Sequence, residues 1–66
     1  MAKEKMSTSD RQAFILQLLM KATGPITGSE IAKLTNVSRQ VIVQDISILK
    51  AKKEPIVATS QGYLYL

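Results

Sequence analysis

The 66-residue chain has no cysteine and no histidine. The first absence removes disulfides, thiolate metal sites and thiol nucleophiles together. The second removes the side chain most often used as a general base and as a metal ligand. Tryptophan is missing too, and one Phe and two Tyr are the whole aromatic complement. Long apolar runs are also absent: Phe14 to Met20 covers seven residues, is broken by Gln17, and lies between Asp10 and Lys21. A spanning helix needs about 18 or more apolar residues, and a signal peptide needs a small-residue cleavage site that does not follow here. The sequence is expected to be soluble and cytoplasmic, without a membrane partner.

What remains is still enough for a core. Hydrophobic residues make up 45% of the chain, which favours one small folded domain over disorder. A chain of this length buries only about 60% of its unfolded surface, so its stability margin is thin. Nine Lys and Arg against five Asp and Glu leave a net charge of +4, a balance that suits a polyanionic partner. Only lysines, carboxylates and scattered hydroxyls are left for chemistry, in no recognisable pairing. No catalytic residue, metal ligand or cofactor site is expected, and the sequence argues against an enzyme.

Along the chain, residues 1–8 are expected to be a flexible tail in which Lys3 and Lys5 can touch a phosphate backbone. The domain is expected to span 9–66. Ser9 with Gln12 makes a capping box, Asp10 complements the helix start, and Phe14, Ile15, Leu18, Leu19 and Ala22 follow helical spacing. Leu16 and Met20 exceed one stripe, so either the wing of the domain or a second subunit covers them. Gly24-Pro25 is expected to stop this helix, with Gly24 as a left-handed cap. Thr27 and Glu30 form a second capping box, opening a short helix from Ser29 to about Leu34 whose inward residues are Ile31, Ala32 and Leu34. Thr35-Asn36 makes the turn, with Asn36 left-handed, and Val37 plugs inward. Ser38 caps a third helix with Ile42, Ile46 and Leu49 on one face and Gln40, Gln44 and Ser47 on the other.

After Lys53 the pattern changes. Ile56-Val57-Ala58-Thr59 and Tyr63-Leu64-Tyr65-Leu66 read as strands joined by Ser60-Gln61-Gly62, with Gly62 at the positive-φ position. Either the Leu pair or the Tyr pair of the second strand faces the core. The order of helix, short helix, tight turn, helix and hairpin predicts an α+β, mainly α, three-helix winged helix-turn-helix with a C-terminal wing. In such a fold one helix, polar outside and apolar inside, enters the DNA major groove.

The stretches Pro25-Ile-Thr-Gly-Ser-Glu-Ile-Ala-Lys-Leu, Val37-Ser-Arg-Gln-Val-Ile-Val-Gln-Asp-Ile, Pro55-Ile-Val-Ala-Thr and Gly62-Tyr-Leu closely resemble one family. It is the N-terminal winged-helix domain of the bacterial niacin-responsive transcriptional repressors, in the group that includes the biotin repressor's N-terminal domain. The resemblance covers about residues 9–66. It implies sequence-specific binding of double-stranded DNA by a repressor of NAD or niacin metabolism or transport genes. It also implies homodimers in the full-length regulator. The metal and nicotinic acid effector belong to a His-rich C-terminal domain of that family. These 66 residues, a fragment or a stand-alone relative, are expected to sense nothing by themselves.

Arg39, at the first turn of the third helix, is expected to reach a guanine or a phosphate. Gln40 and Gln44 share the outer face and can pair with adenine; Val43 can meet a thymine methyl; Ser38 and Ser47 complete the reading set. Thr27, Ser29, Lys50, Lys53, Ser60 and Gln61 are the backbone-contact set, with Lys33 and Lys52 as further phosphate candidates. Val41 is expected to be buried, Asp45 to hold a neighbouring cation or cap, and Tyr63 and Tyr65 to pack or to touch the backbone. The wing tip, Ser-Gln-Gly, is uncharged. A second function class stays open: a protein-docking module using Leu16, Met20, Val43 and Ile48.

Overall fold

The computed structural model describes residues 6–66, so the expectations for Lys3 and Lys5 lie outside the described residues. Three helices precede a two-stranded hairpin: α1 (Thr8–Lys21), α2 (Gly28–Thr35), α3 (Arg39–Ala51), β1 (Ile56–Thr59) and β2 (Gly62–Tyr65). This is the expected winged helix-turn-helix.

Helix α1 starts earlier than Ser9. Ser7 is its N-cap, and the Ser7 hydroxyl accepts from the Asp10 N–H at 3.1 Å. The shift releases Gln12 from any capping duty; it is buried and faces α3 instead. The helix also ends before Gly24, at Lys21, because Ala22 turns extended at φ −71°, ψ 146°. Gly24 is not left-handed; among the described residues only Gly62 is a positive-φ glycine.

Helix α2 opens on Thr27, whose hydroxyl accepts from the Glu30 N–H at 3.1 Å. It buries Gly28, Ile31, Ala32 and Thr35. Leu34, expected inside, is 56% exposed. At 100° per residue it lies about a quarter turn off that strip, and Thr35 takes the inward place. The Thr35 hydroxyl is satisfied there by donating to the Ile31 carbonyl at 2.8 Å. Asn36 is left-handed at φ 59°, ψ 43°, and closes the turn before α3.

The core is one cluster: Ile15 and Leu19 from α1, Ile31 and Ala32 from α2, Ile42, Ile46 and Leu49 from α3, and Ile56 from β1. Leu16, Leu18, Ile26, Val37, Tyr63 and Tyr65 pack around it, so Leu16 is covered within the domain while Met20 stays exposed. Antiparallel partners share a face, which decides the orientation of β2. Ile56 pairs with Tyr65 and is buried, so the tyrosines take the core face, and Leu66 is left 76% exposed. An isolated hairpin is marginal in water, and this one is tied to the helices. Ile26 and Tyr63 exchange both backbone hydrogen bonds, at 3.0 and 2.8 Å, and so attach β2 to the α1–α2 connection.

Candidate nucleic-acid interface

Helix α3 is positioned from both of its sides. Ser38 caps it, accepting from the Val41 N–H at 3.3 Å. Its inner face buries Ile42, Asp45, Ile46 and Leu49. The Asp45 carboxylate is only 2% exposed and forms an ion pair with the Arg11 guanidinium of α1, whose Nη2 donates to Oδ1 at 3.0 Å. The Gln12 amide donates to the same oxygen at 3.3 Å. The hydrogen bond to Asp45 holds the Arg11 pKa above its ordinary value in spite of desolvation. Asp45 thus meets its expected role of holding a cation, and the partner is Arg11, which the sequence did not single out.

With its inner face committed, α3 presents Gln40, Val43, Gln44 and Ser47 outward, all exposed and spaced i, i+3, i+4, i+7. The same side continues to Lys50. Val41, expected to be buried, is only half-buried.

At the start of α3 lies an open cleft of about 380 Å³, lined by the α2 N-cap Thr27, by Gly28 and Ser29 of α2, by Arg39, and by Thr59, Ser60 and Tyr63 of the wing. Gly28 forms its floor. A Cβ placed there would meet Tyr63 Cε2 at 3.5 Å, Arg39 Cγ at 3.6 Å and Arg39 Nε at 3.8 Å. The Arg39 side chain therefore runs back across the beginning of α2. Thr27, Ser29 and Ser60, three members of the expected backbone-contact set, come together with Arg39 around one hollow. The partial positive charge of the α2 start and the guanidinium give it the polarity an anion favours.

The remaining members are elsewhere. Gln61 is exposed at the wing turn and does not line the cleft. Lys50 and Lys53 lie at the other end of α3, where Lys53 is left-handed at φ 73°. Its N–H donates to the Lys50 carbonyl at 2.9 Å and the Glu54 N–H to the Leu49 carbonyl at 3.1 Å, a Schellman closure. Gly28 and Tyr63 were not legible as cleft residues, because nothing local signals a wing tyrosine lying over a helix start.

Among the described residues no helix is long and apolar enough to cross a membrane, and no cluster of acidic side chains fit to hold a metal ion occurs.

The chain is similar to known transcription repressors. Over 62 residues the chain is 56% identical to the transcription repressor NadR of Bacillus subtilis (strain 168), an alignment covering 94% of this chain and 34% of that protein. It is 40% identical over 60 residues to the probable transcription repressor NiaR of Thermotoga maritima, covering 91% of this chain and 34% of that protein. The chain thus spans about a third of the length of these relatives. A family model described as an HTH domain matches residues 11–64, from within α1 to within β2. The chain belongs to this HTH domain family, in its winged form.

Proposed function

We propose that this domain binds double-stranded DNA sequence-specifically, as the DNA-reading part of a bacterial transcription repressor acting on genes of NAD or niacin metabolism or transport. The observation that carries the reading is the division of α3 into two faces. One is locked onto α1 and the core; the other is an exposed, mostly polar strip with a cationic cleft at its start. Arg39, Thr27, Ser29 and Ser60 hold one phosphate through the cleft; Lys50, Lys53 and Gln61 contact backbone farther along. Gln40, Val43, Gln44 and Ser47 face base edges, and Ser38 combines its cap with a phosphate contact. The repressor names of the relatives and the niacin-repressor resemblance support the regulatory role.

One such helix reaches one half-site. The working regulator is a cytoplasmic homodimer on a pseudo-palindrome, and any effector acts through a further domain. Such a regulator is not an enzyme. Titration of labelled promoter duplex against a scrambled duplex at several salt concentrations tests the reading. The 66 residues should prefer the promoter weakly, fusion to a dimerising domain should tighten binding, and log K should fall linearly with log salt. Equal affinity for both duplexes in the fused form sinks it.

A further inference from the structure

We infer that the base pairs under the middle of α3 are A·T pairs, with adenine read by Gln40 and Gln44 and a thymine methyl read by Val43. This rests on α3 being the DNA-reading helix and names the class of sequence it reads.

Three observations carry the inference. The first is what the outward strip contains. Between Arg39 and Lys50 it bears no cation, and the one carboxylate in that span, Asp45, is buried against Arg11. Guanine is best met by a cationic fork on O6 and N7, and cytosine by a carboxylate accepting from N4. Neither group is available there. The strip offers instead two primary amides one helical turn apart, each able to donate to adenine N7 and accept from N6.

The second is Arg39. At the N-terminal end of the strip it is the side chain fit for guanine, yet it runs across Gly28 into the cleft shared with Thr27, Ser29 and Ser60. In that setting it serves a phosphate rather than a base. A phosphate contact fixes register and carries no sequence information.

The third is Val43. It lies between the two glutamines, is 40% exposed, and is β-branched and apolar on a polar face. The thymine C5 methyl is the apolar feature of the major groove, and a valine flanked by adenine-reading amides matches an A·T step.

The test is selection by the 66-residue chain from a randomised duplex library at low salt, followed by atom-level substitution in one selected duplex. Selected sites should carry A·T pairs where α3 sits. Replacing the critical thymine by uracil should weaken the wild type about fourfold, the worth of one methyl group. Val43→Ala, which removes an exposed side chain and should leave the fold intact, should bind the two duplexes equally. Replacing the critical adenine by 7-deazaadenine should weaken the wild type about tenfold and leave Gln44→Ala or Gln40→Ala indifferent. Enriched sites with G·C pairs under the helix centre, or a specific site indifferent to uracil and to deazaadenine, overturn the inference while sequence-specific binding stands. A library from which neither the 66 residues nor their fusion to a dimerising domain enriches any sequence removes both.

Discussion

Arg11 on α1 and Asp45 on α3, 34 positions apart, close an ion pair beneath the outward strip, with Asp45 2% and Arg11 12% exposed. Gln12 supplies a further donor, and no buried side-chain nitrogen or oxygen among the described residues lacks a partner. The core cluster would accept small rotations of α3, since dispersion contacts are individually weak. A fork of two donors on a fixed carboxylate does not, which sets the rotation that points Gln40 and Gln44 outward.

The two halves of the pair are not equivalent. Removing Asp45 leaves Arg11, which can swing into nearby water, whereas Arg11→Ala strands a carboxylate with almost no access to solvent. Urea denaturation should show Arg11→Ala losing about 3–5 kcal/mol and Asp45→Ala less. The double change Arg11→Met with Asp45→Leu should recover much of the loss, since a dry apolar pair carries no desolvation cost. Equal losses in the two single variants would show that Asp45 finds other partners or water.

The glycines give a second contrast. Gly62 has φ 135°, and a Cβ there would lie 2.6 Å from the Ile26 carbonyl carbon and oxygen. Gly62→Ala must break the bridge from Tyr63 to Ile26, so the wing should detach and the thermal midpoint fall. Gly28 meets nothing nearer than 3.5 Å, and alanine favours a helix. Gly28→Ala should leave the thermal midpoint unchanged or higher.

The helices and hairpin were legible because their periods and caps are local. Ile42, Ile46 and Leu49 declare an inner face by spacing, Asn36 declares a left-handed turn, and Gly62 declares a wing turn. The first cap lies two residues before Ser9 because Ser7, Thr8 and Ser9 are all competent caps, and the hydroxyl that meets the Asp10 N–H is that of Ser7. Leu34 and Thr35 exchanged places because hydrophobicity ranks leucine inward, while the helix angle, with a carbonyl ready for the threonine hydroxyl, does not. The candidate reading strip was visible by spacing. The cleft was not, since it joins Thr27, Arg39 and Ser60 across three elements.

Reading and holding should separate in binding assays. Arg39→Ala, by losing a phosphate partner, should weaken promoter and scrambled duplex alike and lower the salt slope by about one. Gln44→Ala should cost about 1–3 kcal/mol on the preferred site and little on the scrambled duplex, and relax discrimination at one base position. If Arg39→Ala instead relaxes discrimination at a single guanine, its side chain leaves the cleft on binding.

Lys53 is expected to answer oppositely in two measurements. It occupies the left-handed position of the Schellman closure at φ 73°, where glycine is the usual residue and any Cβ is strained. Lys53→Gly should relieve that strain and raise folding stability by about 1 kcal/mol, read as a higher urea midpoint. The same change removes one of the charges proposed to meet DNA backbone, so affinity for promoter and scrambled duplex should drop together and the salt slope should fall by about one. Lys53→Asn separates the two effects: it drops the charge and retains a residue tolerant of the left-handed region, so it should weaken binding like glycine with a smaller gain in stability. A charged residue kept in a strained cap, at a measurable cost to folding, is what a phosphate contact there would require. If Lys53→Gly stabilises the fold and leaves DNA affinity and salt slope unchanged, Lys53 is not a backbone contact, and the interface stops short of the end of α3.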